Sequence, residues 1–534
     1  MKKIIYIALF LLSTFFLVAC DDDYSFSIEA SAAAVRESIT VSYTLNDPEK
    51  ELSSSEVKAD LEKKADSKLV STKTLTFDKE TKQGTVKFSN LESNTEYTVT
   101  IYAGYDGDKV VLHTENVKTL EEGASEDKPY EIKTAKDFEN IVKHDPNGYF
   151  KLMNDIDFGG TSISPLFTST TQFVGHFDGQ GHKLSNYIVG TAKEVDGQTT
   201  YTKKSIATDY YGLFGYLGID SVVTNLTLEN FQFHATRASS SKTYYGFIAG
   251  YCKGTISKVN VINSVMNIDT TGSISEYHIA SIAGQVAGPG VISECNVECM
   301  ISVNGKNNVK IGGIVASTLT ATTHETITKC SYTGDINYVV RNTDGKAKDE
   351  TLVYIGGIVG VNYLDVKECN AVGEIVVSLE YDNPSKVLEV MVGGLVGWNI
   401  GDAAELVNST ADVAISVTSQ EKVNEKAKVY AGLLVGQNGN NFASAYAIVD
   451  NCHVVENAKN ANISLLVYDE VVVEYGVIAV DTAKIEEGRY STKTEVSAVV
   501  EYYHYNKYEQ PKEEGVVEII EKLELVNTES SVLK

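Results

Sequence analysis

The side chains able to do chemistry are numerous in this 534-residue chain but poorly placed for it. It carries nine histidines, yet no His-Glu-x-x-His pair that would hold zinc on a helix, and no Gly-x-Ser-x-Gly elbow. Asp155, Asp157 and Asp178 fall close together, with His176 and His182 flanking the run Phe177-Asp-Gly-Gln-Gly181. Carboxylates beside glycine in this way are expected to cap turns, and the two histidines to hydrogen-bond there, rather than to bind Ca²⁺ or act as acid and base. Arg36, Arg237, Arg341 and Arg489 are the whole arginine complement, so bidentate clamps on carboxylate or phosphate are scarce. Arg237 and Arg341 lie in insert-like stretches with no acidic cluster nearby in sequence. The single tryptophan, Trp398, sits in Gly397-Trp-Asn-Ile-Gly401, where it could offer a platform for a sugar ring or pack against a neighbouring strand. Tyr502, Tyr503, Tyr505 and Tyr508 crowd a second aromatic stretch, and Tyr502 and Tyr505 join Trp398 as candidate ligand-binding residues. No catalytic residue, metal site or cofactor is expected.

Charge narrows the partners. The formal net charge is −26, which argues against nucleic acid, whose phosphates need clustered Lys and Arg, and against anionic lipid headgroups or acidic glycans as main ligands. The length exceeds what one compact core supports, so several domains or one long array are expected. Abundant Val, Ile, Thr and Tyr with 41 glycines point to an all-β chain.

An array is written into the sequence. A short apolar and glycine phrase returns as Tyr211-Gly-Leu-Phe-Gly215, Tyr245-Gly-Phe-Ile-Ala-Gly250, Ile279-Ala-Ser-Ile-Ala-Gly284 and Ile311-Gly-Gly-Ile-Val315. It continues as Ile355-Gly-Gly-Ile-Val-Gly360, Val392-Gly-Gly-Leu-Val-Gly397 and Tyr430-Ala-Gly-Leu-Leu-Val-Gly436, at a spacing of roughly 32 to 45 residues. A second phrase follows each copy, most often headed by cysteine: Cys295-Asn, Cys330-Ser, Cys369-Asn, Asn408-Ser and Cys452-His. Repeats of this kind stack, with like residues about 4.8 Å apart. The cysteines are then expected to form a column of small buried thiols, with disulfides between rungs as the alternative. Gly357 and Gly394 are expected at corners with positive φ. Polar inserts at 191–209, 342–350, 381–386 and 419–428 should leave the coil as loops.

Before the array, Ile39–Leu45, Lys73–Phe77 and Gly84–Phe88 alternate as half-buried strands, while 48–68 reads as a loop or short helix. Leu91-Glu-Ser-Asn-Thr-Glu-Tyr-Thr-Val-Thr-Ile-Tyr102 resembles the Leu…Thr-x-Tyr-x-Val segment of fibronectin type III domains. The resemblance implies a β-sandwich over 24–120 in which Tyr97 ties its hydroxyl to the backbone. Residues 121–128 read as a linker. Thr134 with Asp137 resembles a capping box, opening a short helix whose Phe138, Ile141 and Val142 would lid the first rung.

Tyr149–Asp157 and Phe173–Ile188, with the recurring phrase, resemble the GLUG-type repeats of bacterial surface proteins. That implies a right-handed parallel β-helix over 129–461, followed at 462–534 by a C-terminal cap or small β-element. GLUG repeats also accompany zinc-dependent immunoglobulin A peptidases, but this chain lacks their zinc motif. At the N-terminus, Lys2-Lys3, an apolar run and Leu17-Val-Ala-Cys20 resemble a bacterial lipobox, so 1–20 is expected to be a lipoprotein signal with Cys20 acylated. Asp21-Asp-Asp23 resembles the surface-export signal of Bacteroidetes lipoproteins, and implies an outer-membrane anchor facing out; in other Gram-negative bacteria it would imply inner-membrane retention. The expected function is a non-catalytic adhesin-like protein binding glycan or host surface. The alternative is a polysaccharide lyase or glycoside hydrolase of the β-helix type, which a cluster of carboxylates with Arg or Lys on one face would favour.

Overall fold

The computed structural model describes residues 25–475 and 503–525, apart from 53–55, 106, 196, 238–241, 271–275, 320–324, 343–349, 382–386, 401–403, 420–426, 440–446, 455–461, 469–471 and 514–515. Cys20, Tyr502 and much of 462–534 lie outside the described residues. The chain divides into two compact units between Leu120 and Glu121.

The first unit is a β-sandwich. Strands β1 (Ser27–Ala34), β2 (Ser38–Asn46) and β5 (Gln83–Ser89) form one sheet in the order β1-β2-β5. Strands β3 (Val57–Lys63), β4 (Lys68–Thr74), β6 (Glu96–Tyr105) and β7 (Asp108–Lys118) form the other, in the order β4-β3-β6-β7. Alternation puts Tyr97, Val99, Ile101 and Ala103 of β6 into a core shared with Ile39, Val41 and Phe88 from the first sheet. Tyr97 closes the corner before its strand: its hydroxyl accepts the Glu92 amide proton at 3.0 Å. The stretch expected to be loop or helix holds β3, which pairs with both β4 and β6. Its Lys and Glu side chains disguise it, but Val57, Ala59 and Leu61 alternate inward and are buried.

The second unit is a parallel β-helix. Residues 121–128 are folded as a turn, with Gly123 N–H donating to Lys128 O at 2.6 Å. Strand β8 (Tyr130–Ile132) and helix α1 (Ala135–Asn140) follow. The Asp137 carboxylate accepts the Thr134 amide at 2.8 Å, as the capping pattern requires, and Phe138 enters between Phe158 and Phe177 (ring centroids 5.7 and 5.6 Å). Thus α1 covers apolar surface of the first rungs.

Each full rung visits three faces. In one, Glu276–Ala280 lies on face A, Ala283–Ala287 on face B, and Val291–Ser293 with Asn296–Gly305 on face C, before the chain returns to face A at Asn308–Gly312. Among the described residues face A has eight strands and face B seven, every neighbouring pair parallel, and in register apart from a shift between Gly215 and Tyr216 on face B. The interior is aromatic at its start (Phe150, Phe173, Phe177, Phe214) and becomes Ile and Val further along.

The glycine phrase spans the A–B corner, but not by the expected backbone. Neither Gly357 nor Gly394 has positive φ. They are glycine because the rungs touch there: a Cβ on Gly357 would stand 2.2 Å from Gly394 O, and one on Gly394 2.0 Å from Leu433 O. The left-handed positions belong instead to the bend within face C, at Lys258, Glu294, Lys329, Glu368, Asn408 and Asn451, with φ from 48 to 55°. Each of the four cysteine-headed phrases begins one residue later, and Asn408 itself opens the remaining one. Cys295, Cys330, Cys369 and Cys452 form the column, with Ser409 substituting at one level. Every Sγ or Oγ points to the carbonyl two residues earlier, at 3.2–3.3 Å for sulfur and 2.9 Å for Ser409. All six described cysteines are buried free thiols.

Candidate functional site

The tight A–B corner brings the outward side chains of the two faces together. Register alignment gives one outward column on face A: Tyr210, Tyr244, His278, Lys310, Tyr354, Met391 and Tyr430. On face B the column is Tyr216, Tyr251, Gln285, Ser317, Val361, Trp398 and Gln437. The columns pack against each other in a seam along the outside of the solenoid.

Its first part is tyrosine. Tyr210 stacks on Tyr244 (5.2 Å, 11°) and Tyr216 on Tyr251 (4.8 Å, 13°), with Tyr210 edge-on to Tyr216 at 5.1 Å. Burial raises all four phenols, Tyr216 to about 12, so they stay protonated donors. Tyr210 and Tyr251 remain half-buried at the surface.

The middle is polar. Ser317 Oγ lies 2.7 Å from His278 Nδ1, and Gln285 Nε2 donates to the same oxygen at 3.0 Å. The other imidazole nitrogen faces Glu276 Oε2 at 3.4 Å, and that carboxylate also pairs with Lys242 (2.9 Å) and Lys310 (2.6 Å). Burial works against the Glu276 charge, but the contacts with His278 and Lys310 outweigh it and hold the carboxyl far below its usual range. The order serine, histidine, glutamate is that of a nucleophilic relay. Here, however, Ser317 and His278 are both 0% exposed, so no substrate reaches the hydroxyl. The chain of hydrogen bonds joins one wall of the seam to the other.

Burial pushes the His278 imidazole down to about 4. Above pH 6.5 it is neutral folded or unfolded. Between 6.5 and 4 only the unfolded chain takes up the proton, so stability falls with acid across that window, by up to about 3 kcal/mol from this group. His234, held at about 4 chiefly by burial, acts in the same direction. Thermal melts from pH 7.5 to 4 are expected to show a falling Tm, and His278→Gln to flatten part of that fall. An unchanged slope in the variant would remove His278 as its source.

The last part is apolar. Trp398 stacks on Tyr354 (5.3 Å, 22°), and its Nε1 donates to Gly439 O at 2.9 Å, which leaves the indole partly exposed at a fixed orientation. Tyr354, Val361, Met391, Ile400 and Tyr430 form the packed base behind it.

The other expected residues fall elsewhere. Asp157 accepts the Gly159 amide (2.7 Å) and Asp178 the Gln180 amide (2.8 Å), both turn contacts, whereas Asp155 accepts the Lys183 amide (3.0 Å) from the neighbouring strand and ties one rung to the next. His182 faces Asp155, and His176 packs on Tyr149 at 4.7 Å. Arg237 and Arg341 each have an acidic partner the sequence hid, Asp209 and Glu380. No group of three metal-ligating side chains occurs among the described residues. Tyr505 lies in the strand Tyr503–Glu513. His278, Gln285, Ser317 and the four tyrosines were missed. Their signal was positional: one column is the residue just before each phrase, save Tyr430, which opens its own, and the other the residue just after it, save Ser317, which lies two beyond Val315.

No protein-family model matches the chain. It is 32% identical over 114 residues to a "Putative Gly-rich membrane protein" of Evansella cellulosilytica, covering 20% of this chain and 12% of that protein. It is 26% identical over 188 residues to "Halomucin" of Haloquadratum walsbyi, covering 34% of this chain and 2% of that protein. The chain thus spans a small fraction of either relative. Among solved structures it overlaps an "IgA1 Protease" over 81% of this chain and 30% of that one, at 12% identity and a TM-score of 0.36.

Proposed function

We propose that this protein is a non-catalytic binding protein of the cell surface. In this reading Cys20 is acylated and anchors the chain in the outer membrane, a fibronectin type III-like unit follows, and the GLUG-type solenoid engages a glycan or host-surface ligand. The observation that carries it is the outer seam, where half-exposed aromatic rings stand on either side of a buried polar middle along a stacked array. Support for the fibronectin-like unit comes from its strand order and from the Tyr97 hydroxyl contact. Two similar proteins bear names of the membrane or mucin kind, which fits a surface address. The enzymatic alternative draws little from the seam, whose carboxylate Glu276 is taken up in pairs with Lys242 and Lys310.

The test is retention of the full-length protein on immobilised polysaccharides and mucin glycans, with assay of reducing and unsaturated ends. Retention without product is expected. Trp398→Ala should weaken it about tenfold, the loss typical of one aromatic anchor. Product release would establish the enzymatic alternative instead.

A further inference from the structure

We infer that the ligand of the seam is an extended, uncharged glycan chain lying parallel to the solenoid axis. This rests on the glycan-binding reading above and specifies the ligand's shape and charge.

The two half-exposed platforms of face B, Tyr251 and Trp398, belong to the same column. Register carries Tyr251 to Gln285, Gln285 to Ser317, Ser317 to Val361 and Val361 to Trp398. Those are four steps between adjacent strands, so the platforms are about 19 Å apart at roughly 4.8 Å per step. No single sugar ring spans that distance; a chain of several rings does. No register shift interrupts these four steps, so the line between the platforms follows the solenoid axis. Between them the column runs through Gln285, Ser317 and Val361, which are buried, so the two rings are the column's points of contact.

Charge fixes the rest. At the centre of the seam the Lys242 and Lys310 amines are both paired with the Glu276 carboxylate. The whole molecule, at −26, repels an acidic chain. A polyuronate or sulfated chain is therefore disfavoured where a neutral chain is not.

The experiment uses the full-length protein, with Tyr251→Ala and Trp398→Ala variants whose fold is checked by circular dichroism. The probes are neutral and uronic-acid oligosaccharides, each series running from monosaccharide to decasaccharide. For the neutral series, affinity should rise by at least about tenfold between the disaccharide and the chain long enough to reach both platforms, then level off. Either variant should abolish that rise while leaving disaccharide binding within about twofold. Binding that is flat with length, or equal losses for short and long chains in the variants, would overturn the inference while glycan binding itself stands. Preference for the uronic-acid series would overturn its charge. Failure of every oligosaccharide, with retention only of a protein ligand, would overturn the glycan reading and the inference together.

Discussion

Gly394→Ala should destabilise the solenoid by more than about 3 kcal/mol, although it adds one methyl group. The new Cβ would stand 2.0 Å from Leu433 O and 3.0 Å from the carbon of that carbonyl. A flexible side chain could swing aside, but this neighbour is backbone held in the stack: Gly394 N–H donates to Gly432 O at 3.1 Å and Leu395 N–H to Leu434 O at 3.0 Å. Relief requires separating two rungs, which breaks the ladder on both sides of the corner. Gly357 meets the same obstacle one rung earlier, 2.2 Å from Gly394 O, so Gly357→Ala should behave alike. The contrast is Gly104, where a Cβ meets nothing within 4 Å; Gly104→Ala should change stability by less than about 0.5 kcal/mol. Urea denaturation followed by circular dichroism measures all three. If Gly394→Ala unfolds with the wild-type midpoint, the close approach at this corner is wrong. Because rungs contact only their neighbours, the loss should centre on the altered rung and spread from it, giving a broader transition.

That prediction marks where the sequence could and could not be read. The phrase around Gly357 and Gly394 announced a stacked array because glycine and apolar residues recur at one spacing. The reason for the glycines was hidden, since a clash between rungs exists only after the rungs are stacked. Conversely, the true left-handed bends carry Glu294, Lys329 and Glu368, residues that give no local sign of positive φ. The array imposes it: each of these amides donates to a carbonyl of the next rung (Thr328, Lys367 and Val407, all at 3.0 Å). Local chemistry was legible where the partners are close in sequence, as for Thr134 with Asp137 and Tyr97 with Glu92. It failed for His278 and Ser317, which meet at 2.7 Å across 39 residues and flank different phrases. Trp398 could be singled out because it is unique; its partner Tyr354 could not, being one of 31 tyrosines.

The interior carries a polar line whose loss should be almost as costly. Thr318 Oγ1 donates to Asn362 Oδ1 (3.1 Å), Asn362 Nδ2 to Asn399 Oδ1 (2.9 Å), and Asn399 Nδ2 to Asn438 Oδ1 (3.0 Å). Asn362 and Asn399 are 0% exposed, so water cannot replace a missing partner. Asn399→Leu removes at once the acceptor of one amide and the donor to the next, and is expected to cost about 2–3 kcal/mol in spite of its added apolar surface. Asn399→Asp separates the two halves of the argument. An ionised aspartate still accepts from Asn362 but sets a buried charge against the Asn438 oxygen, so near neutral pH it should be worse than leucine. Protonated, its hydroxyl donates to Asn438 and the line is whole again. The difference in Tm between Asn399→Asp and wild type should therefore shrink as pH falls toward 4, while that between Asn399→Leu and wild type stays constant. If both differences run parallel with pH, the ladder is not satisfied through these two bonds, and the asparagines fill space without joining the rungs.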